Sequence, residues 1–168
     1  MPLDLRQLYD DHAAALYAFA LNLTRSEPEA RDVLQELFLK VTEKPGQFAV
    51  VREPRAWLLR LAHRLVIDRH RRRASHERAL ERAAAEPGPV FASADDPDEA
   101  AFRAALAEAL AELPEEQRAV VHLKLWEDLT FAQIAEALEI PPNTAASRYR
   151  YALDKLQAHL RPLYEELP

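Results

Sequence analysis

The sequence predicts an all-α protein of two small helical domains joined by a flexible linker, the C-terminal one a helix-turn-helix. Three observations carry this. Glycine occurs only twice in 168 residues, while alanine, leucine, glutamate and arginine dominate; this leaves little material for hairpin turns and favours helices on propensity. Apolar residues recur at three- and four-residue steps along most of the chain, the stripe of an amphipathic helix. The stretch EPGPVFASADD, residues 86–96, has two prolines, a glycine and no such stripe, and reads as the linker.

The elements follow in order. Leu5, Leu8, Tyr9, Leu16, Phe19 and Leu23 mark the first helix. Ser26-Glu-Pro-Glu29 reads as a capping box, in which the serine oxygen accepts from the amide three residues on and the glutamate reaches back. The second helix runs through Val33, Leu34, Leu37, Phe38 and Val41 and ends before Pro45-Gly46. A loop from Pro45 to Glu53 precedes Pro54, which suits a first helical position because its missing N–H has no partner there anyway. The third helix carries Trp57, Leu58, Leu61 and Leu65 into an arginine block and is expected to fray after Ala74.

Beyond the linker, Asp96-Pro-Asp-Glu99 caps a helix that reaches Glu112, and Leu113-Pro114-Glu-Glu starts the next, with Val120, Val121, Leu123, Leu125 and Trp126. Thr130-Phe-Ala-Gln133 is another capping box and opens a short helix to Leu138. After Glu139-Ile-Pro-Pro142, Asn143 begins the last helix, with Ala145, Tyr149, Ala152, Leu153, Leu156 and Leu160 on its inner face.

Net charge is −6, which taken alone argues against a nucleic-acid partner. Its distribution reverses that. Residues 52–82 hold 10 arginines against 4 acids, whereas residues 83–112 hold one arginine against 7 acids. The basic block includes Arg60, Arg64, Arg69, Arg71, Arg72 and Arg73, and distant acids hardly mask it because the Debye length at physiological salt is about 8 Å.

Cysteine is absent, which excludes disulfides and thiolate zinc sites. The longest apolar run, Ala13 to Leu21, falls far short of the roughly 18 residues of a membrane span. Asp4, Asp10 and Asp11 stand where a secretory signal carries its basic residues. A cytoplasmic protein without membrane insertion is expected. His63 and His70 share a helical face but lie two turns apart, too far for a one-face chelate, and no HExxH, phosphate loop or nucleophile elbow accompanies them. No catalytic residue, metal site, cofactor or small-molecule substrate is expected.

The clearest functional signal is Thr130 to Leu153, which has the spacing of a helix-turn-helix: short helix, tight turn, longer helix. Ala135 is expected at the close crossing of the two helices, and Ile140 beneath the turn. The inner stripe of the last helix leaves Asn143, Thr144, Ala146, Ser147, Arg148, Arg150, Tyr151 and Lys155 on outer or flanking surfaces, the early ones at a helix N-terminus suited to phosphate. A helical hairpin inside a bundle has the same pattern.

Flanking residues extend the signal. Glu112-Leu-Pro-Glu-Glu-Gln-Arg118, Thr144, Ser147-Arg148 and Ala152-Leu-Asp-Lys-Leu156 resemble the promoter-binding C-terminal domain of extracytoplasmic-function (ECF) sigma factors of bacterial RNA polymerase. Glu29-Ala-Arg-Asp-Val-Leu-Gln-Glu-Leu-Phe-Leu-Lys-Val41 resembles their core-binding helix. Residues 54–73 resemble their helix for opening and reading the minus-ten element. The resemblance implies a region-2-like domain over 1–85, a linker over 86–96 and a region-4-like domain over 97–168 that binds the minus-thirty-five element. It implies core RNA polymerase and promoter DNA as partners, with an anti-sigma factor as a third.

By the same resemblance, Asp32, Gln35, Glu36 and Leu37 face polymerase. The loop over Gln47 to Arg52 takes a flipped-out base, with Phe48 either stacking on it or anchoring the loop, and Arg52 beside it. Arg64, Arg71 and Arg72 lie on DNA backbone, while Arg69 and Arg73 have no assigned role. Asn143, Thr144, Ser147, Arg148 and Arg150 form the recognition helix's DNA face. The family usually has glycine where Glu139 and Asn143 stand, and valine followed by a basic residue where Ala145 and Ala146 stand; the change at Ala146 removes a phosphate or base contact. The alternatives are a regulator that uses only the helix-turn-helix, and a degenerate sigma-like interaction protein that does not initiate transcription.

Overall fold

A computed structural model of the chain describes residues 3–77 and 96–165. Except for Asp96, the expected linker lies outside the described residues. Among the described residues eight helices form: α1 (Leu5–Thr24), α2 (Glu27–Glu43), α3 (Pro45–Ala49), α4 (Pro54–Glu77), α5 (Pro97–Glu112), α6 (Glu115–Leu125), α7 (Phe131–Leu138) and α8 (Pro142–Glu165). No strand occurs among the described residues. The chain divides into two compact units.

In the first, α1, α2 and α4 pack on one another and α3 packs on α2. Phe19 and Leu23 of α1, Val33 and Leu37 of α2, and Leu58, Ala62 and Val66 of α4 are almost wholly buried. These positions recur at three- and four-residue steps because only that spacing keeps a side chain on one face of a helix. In the second unit, α8 packs on both α5 and α6. Its core joins Ala109, Leu110, Leu113, Val121, Ala152 and Leu156, with Tyr149 and Leu153 against the edge.

The helix starts are set by side chains. The Asp4 carboxylate accepts from the amides of Arg6 and Gln7, both at 3.1 Å. Asp96 caps α5 by accepting from the Asp98 amide at 2.9 Å. The Thr130 box is complete, with the Gln133 amide donating to Thr130 Oγ1 at 3.2 Å and the Thr130 amide donating to Gln133 Oε1 at 2.9 Å. The Ser26 box is half formed. Ser26 Oγ accepts from the Glu29 amide at 3.4 Å, but the Glu29 carboxylate turns away to pair with Arg73, and the Ser26 amide donates to Thr24 Oγ1 instead.

Two local expectations are corrected. The segment expected as a loop after Pro45 opens with the one-turn helix α3, Pro45 standing in its first turn. The third expected helix, now α4, does not fray after Ala74 but continues to Glu77, its late turns held to α2 by Arg69 and Arg73.

Candidate polymerase and nucleic-acid interfaces

The helix α2 has a buried side through Val33, Leu37 and Val41 and an outward side through Asp32, Gln35 and Leu39. Leu37 is 0 % exposed. That corrects its expected contact with polymerase: it belongs to the buried stripe four residues on from Val33, so it supports the helix from beneath. Leu39, 56 % exposed, is the apolar residue that stands outward. It borders a groove of about 400 Å³ that Tyr9, Leu34 and Phe38 also line, with Gln35 at its edge. The signal for Leu39 was an apolar residue off the buried stripe.

The acids of α2 are engaged. Arg69 of α4 pairs with Glu36 at 2.9 Å and reaches Asp32 at 3.9 Å, and Arg73, one turn on, pairs with the nearly buried carboxylate of Glu29. This ladder divides the arginine block. Arg69 and Arg73 lie one turn apart on the side of α4 that faces α2. Arg64 and Arg71 are seven residues apart, close to two turns of about 3.6 residues each, so they share another side, with Arg72 next to them. All three of these are exposed. Arg69 and Arg73, unassigned on sequence, are thus structural cations, and the arginines expected on DNA are the outward ones.

Phe48 in α3 is 7 % exposed and meets the Trp57 ring edge-on, with centroids 5.5 Å apart. It anchors the segment to α4, which corrects the alternative of a ring waiting to stack on a base. Arg52, four residues later, is exposed.

The helix-turn-helix is built by α7, a turn at residues 139–141 and α8. The Ile140 amide donates to the Ala135 carbonyl at 3.0 Å, closing the turn. Ala135 and Ala145 are buried, as close helix crossing requires, and Ile140 is half-buried. The left-handed residue is Glu139, at φ 58°, whereas Asn143 is helical and needs no such freedom. A non-glycine residue there costs about 1 kcal/mol. Phe131 holds α7 in place, its ring 5.5 Å from that of Tyr149 and under the Lys124 ammonium at 4.8 Å.

At about 100° per residue, Ala145, Tyr149, Ala152 and Leu156 face the core. Asn143, Ser147, Arg150 and Tyr151 share the opposite arc, with Thr144 and Arg148 at its edge. The Ser147 hydroxyl donates to the Asn143 carbonyl at 2.8 Å, so in this geometry it offers a partner lone pairs rather than a proton. Tyr151, 55 % exposed, had been placed on the outer surface by its spacing but given no role. Among the described residues, no helix is long and apolar enough to cross a membrane.

Comparison with known proteins agrees with these two units. Sigma-70 region 2 matches residues 8–76, and Sigma-70, region 4 matches residues 103–156. The ECF RNA polymerase sigma factor SigL of Mycobacterium tuberculosis is 36 % identical over 161 residues, covering 95 % of this chain and 90 % of that protein. SigW of Bacillus subtilis, also an ECF sigma factor, is 27 % identical over 169 residues, with 95 % and 89 % covered. Among solved structures, the sigma factor RpoE in complex with the anti-sigma factor NepR from Bartonella quintana has the same fold, with a TM-score of 0.74, 24 % identity and 94 % of this chain and 97 % of that chain covered. Its regions 2 and 4, present in this order and matched along nearly its whole length by SigL, make this chain a member of the ECF RNA polymerase sigma factors.

Proposed function

We propose how this sigma factor divides its work between its two units. The chain directs core RNA polymerase to promoters and assists initiation. Residues 1–85 bind polymerase and the minus-ten region, residues 86–96 link, and residues 97–168 bind the minus-thirty-five element. Polymerase meets the outward side of α2 at Asp32, Gln35 and Glu36, with Leu39 in place of Leu37. Promoter DNA meets Arg52, Arg64, Arg71 and Arg72 in the first unit, and Asn143, Thr144, Ser147, Arg148 and Arg150 in the second.

The observation that carries this reading is the division of the arginine block, with Arg69 and Arg73 turned to the acids of α2 and Arg64, Arg71 and Arg72 turned outward. A DNA surface needs unneutralised cations, and of the outward arginines the ladder leaves Arg71 and Arg72 for it. The protein acts in the cytoplasm, with no bond chemistry of its own. The solved sigma factor of the same fold was captured with an anti-sigma factor, which supports an anti-sigma protein as a third partner.

Co-purification with core polymerase tests the α2 assignment. Asp32→Arg with Gln35→Ala is expected to abolish association while helicity by circular dichroism stays unchanged. Undiminished co-purification would contradict it.

A further inference from the structure

We propose that Tyr151 is a DNA-backbone contact of the recognition helix, its phenol hydroxyl donating to a phosphate at the wall of the major groove. The inference rests on the reading of α8 as that helix. Three observations carry it. Tyr151 is a large aromatic residue left 55 % exposed, whereas Tyr149, two residues earlier, is packed into the core edge. It lies on the outward arc with Asn143, Ser147 and Arg150, turned away from the buried Ala145 and Ala152. The guanidinium of Arg150 lies over its ring, 5.4 Å from the centroid, which restrains the ring and brings a cation beside the phenol.

Position along the helix selects the ligand. Recognition helices of this class offer their N-terminal residues to base edges. Tyr151 stands eight residues beyond Asn143, about 12 Å along the axis at 1.5 Å per residue. The major groove is about 12 Å wide and 8.5 Å deep, so a side chain that far from the base-reading turn has reached the groove wall, where the available groups are phosphate oxygens. A phosphate accepts and does not donate, and a phenol hydroxyl can donate to it.

The test uses the full-length chain assembled with core polymerase. The probe is a linear duplex carrying a promoter mapped by run-off with the wild-type holoenzyme, together with copies substituted singly through the minus-thirty-five element. Tyr151→Phe removes one hydroxyl from an exposed ring. It is expected to weaken binding about ten-fold or more, the worth of one hydrogen bond to a charged acceptor, equally on every duplex and with the salt dependence unchanged, because a neutral donor releases no counterion. Arg150→Ala should instead flatten the slope of log affinity against log salt by about 0.9. Wild-type affinity in Tyr151→Phe overturns the proposal, as does a loss confined to one base-pair position, which would make the ring a base reader. Arg148→Ala separates the two levels of failure: if it weakens binding while Tyr151→Phe does not, only this inference falls, and if both are silent the recognition-helix reading falls with it.

Discussion

Leu37 and Gln35 stand two residues apart on α2, and their environments assign them different work. Leu37 is enclosed on all sides, so Leu37→Ala should destabilise the first unit by about 2–5 kcal/mol, the usual range for a buried leucine truncated in a packed core, as read by chemical denaturation. Gln35 is exposed, and Gln35→Ala should leave the denaturation midpoint within about 0.5 kcal/mol of wild type while lowering affinity for core polymerase. The opposite pattern would mean that α2 lies with its other face outward. In α8, Arg148→Ala should weaken duplex binding by about 1–3 kcal/mol with relaxed preference at one position if it reads a base edge; an equal loss on all sequences marks a phosphate contact. Ala146→Lys adds a cation on the half-exposed flank of the same helix and should tighten binding, with a salt slope steeper by about 0.9.

Among the elements, those legible in the sequence were the ones whose signals are local. Thr130 and Gln133 close a reciprocal box three residues apart, so composition at two positions fixes where α7 begins. Thr130→Ala should cost about 0.5–2 kcal/mol, measured by thermal unfolding. Features that depend on partners distant in sequence carry no such local signal. Glu29 was read as the return arm of a cap, but Arg73, forty-four residues later, takes its carboxylate; the same ladder carries α4 beyond Ala74. The left-handed turn residue is Glu139, because the turn closes on Ala135 through Ile140 and α8 has already begun at Pro142. Arg25 ends α1 in the left-handed region at φ 55°, and burial lowers its guanidinium from the usual arginine pKa. Arg25→Gly relieves both the backbone and the desolvated cation, and thermal unfolding should show a gain of about 1 kcal/mol; a loss would mean that its aliphatic stem contributes more than the relief.

For the molecule as a whole, the fold class and the order of the two helical units followed from helical periodicity and the scarcity of glycine, and the sigma-factor resemblance rested on motifs that lie within single helices. The site was less legible because a helix face is decided by packing. Spacing puts Leu37 on the apolar stripe of α2 and leaves Leu39 and Tyr151 off the stripes of their helices, but the structure is what shows Leu37 and Phe48 buried beneath the surface and Leu39 and Tyr151 available on it. The net charge of −6 likewise conceals a local division, in which two arginines neutralise α2 and others remain outward. The central claim is that these surfaces together start transcription, and run-off transcription tests it most directly. Purified chain added to core polymerase on genomic fragments should yield transcripts from specific start sites, absent with core alone and lost with Asp32→Arg and Gln35→Ala combined. Firm binding to core without any specific transcript would contradict the account and favour a sigma-like protein that occupies polymerase without initiating.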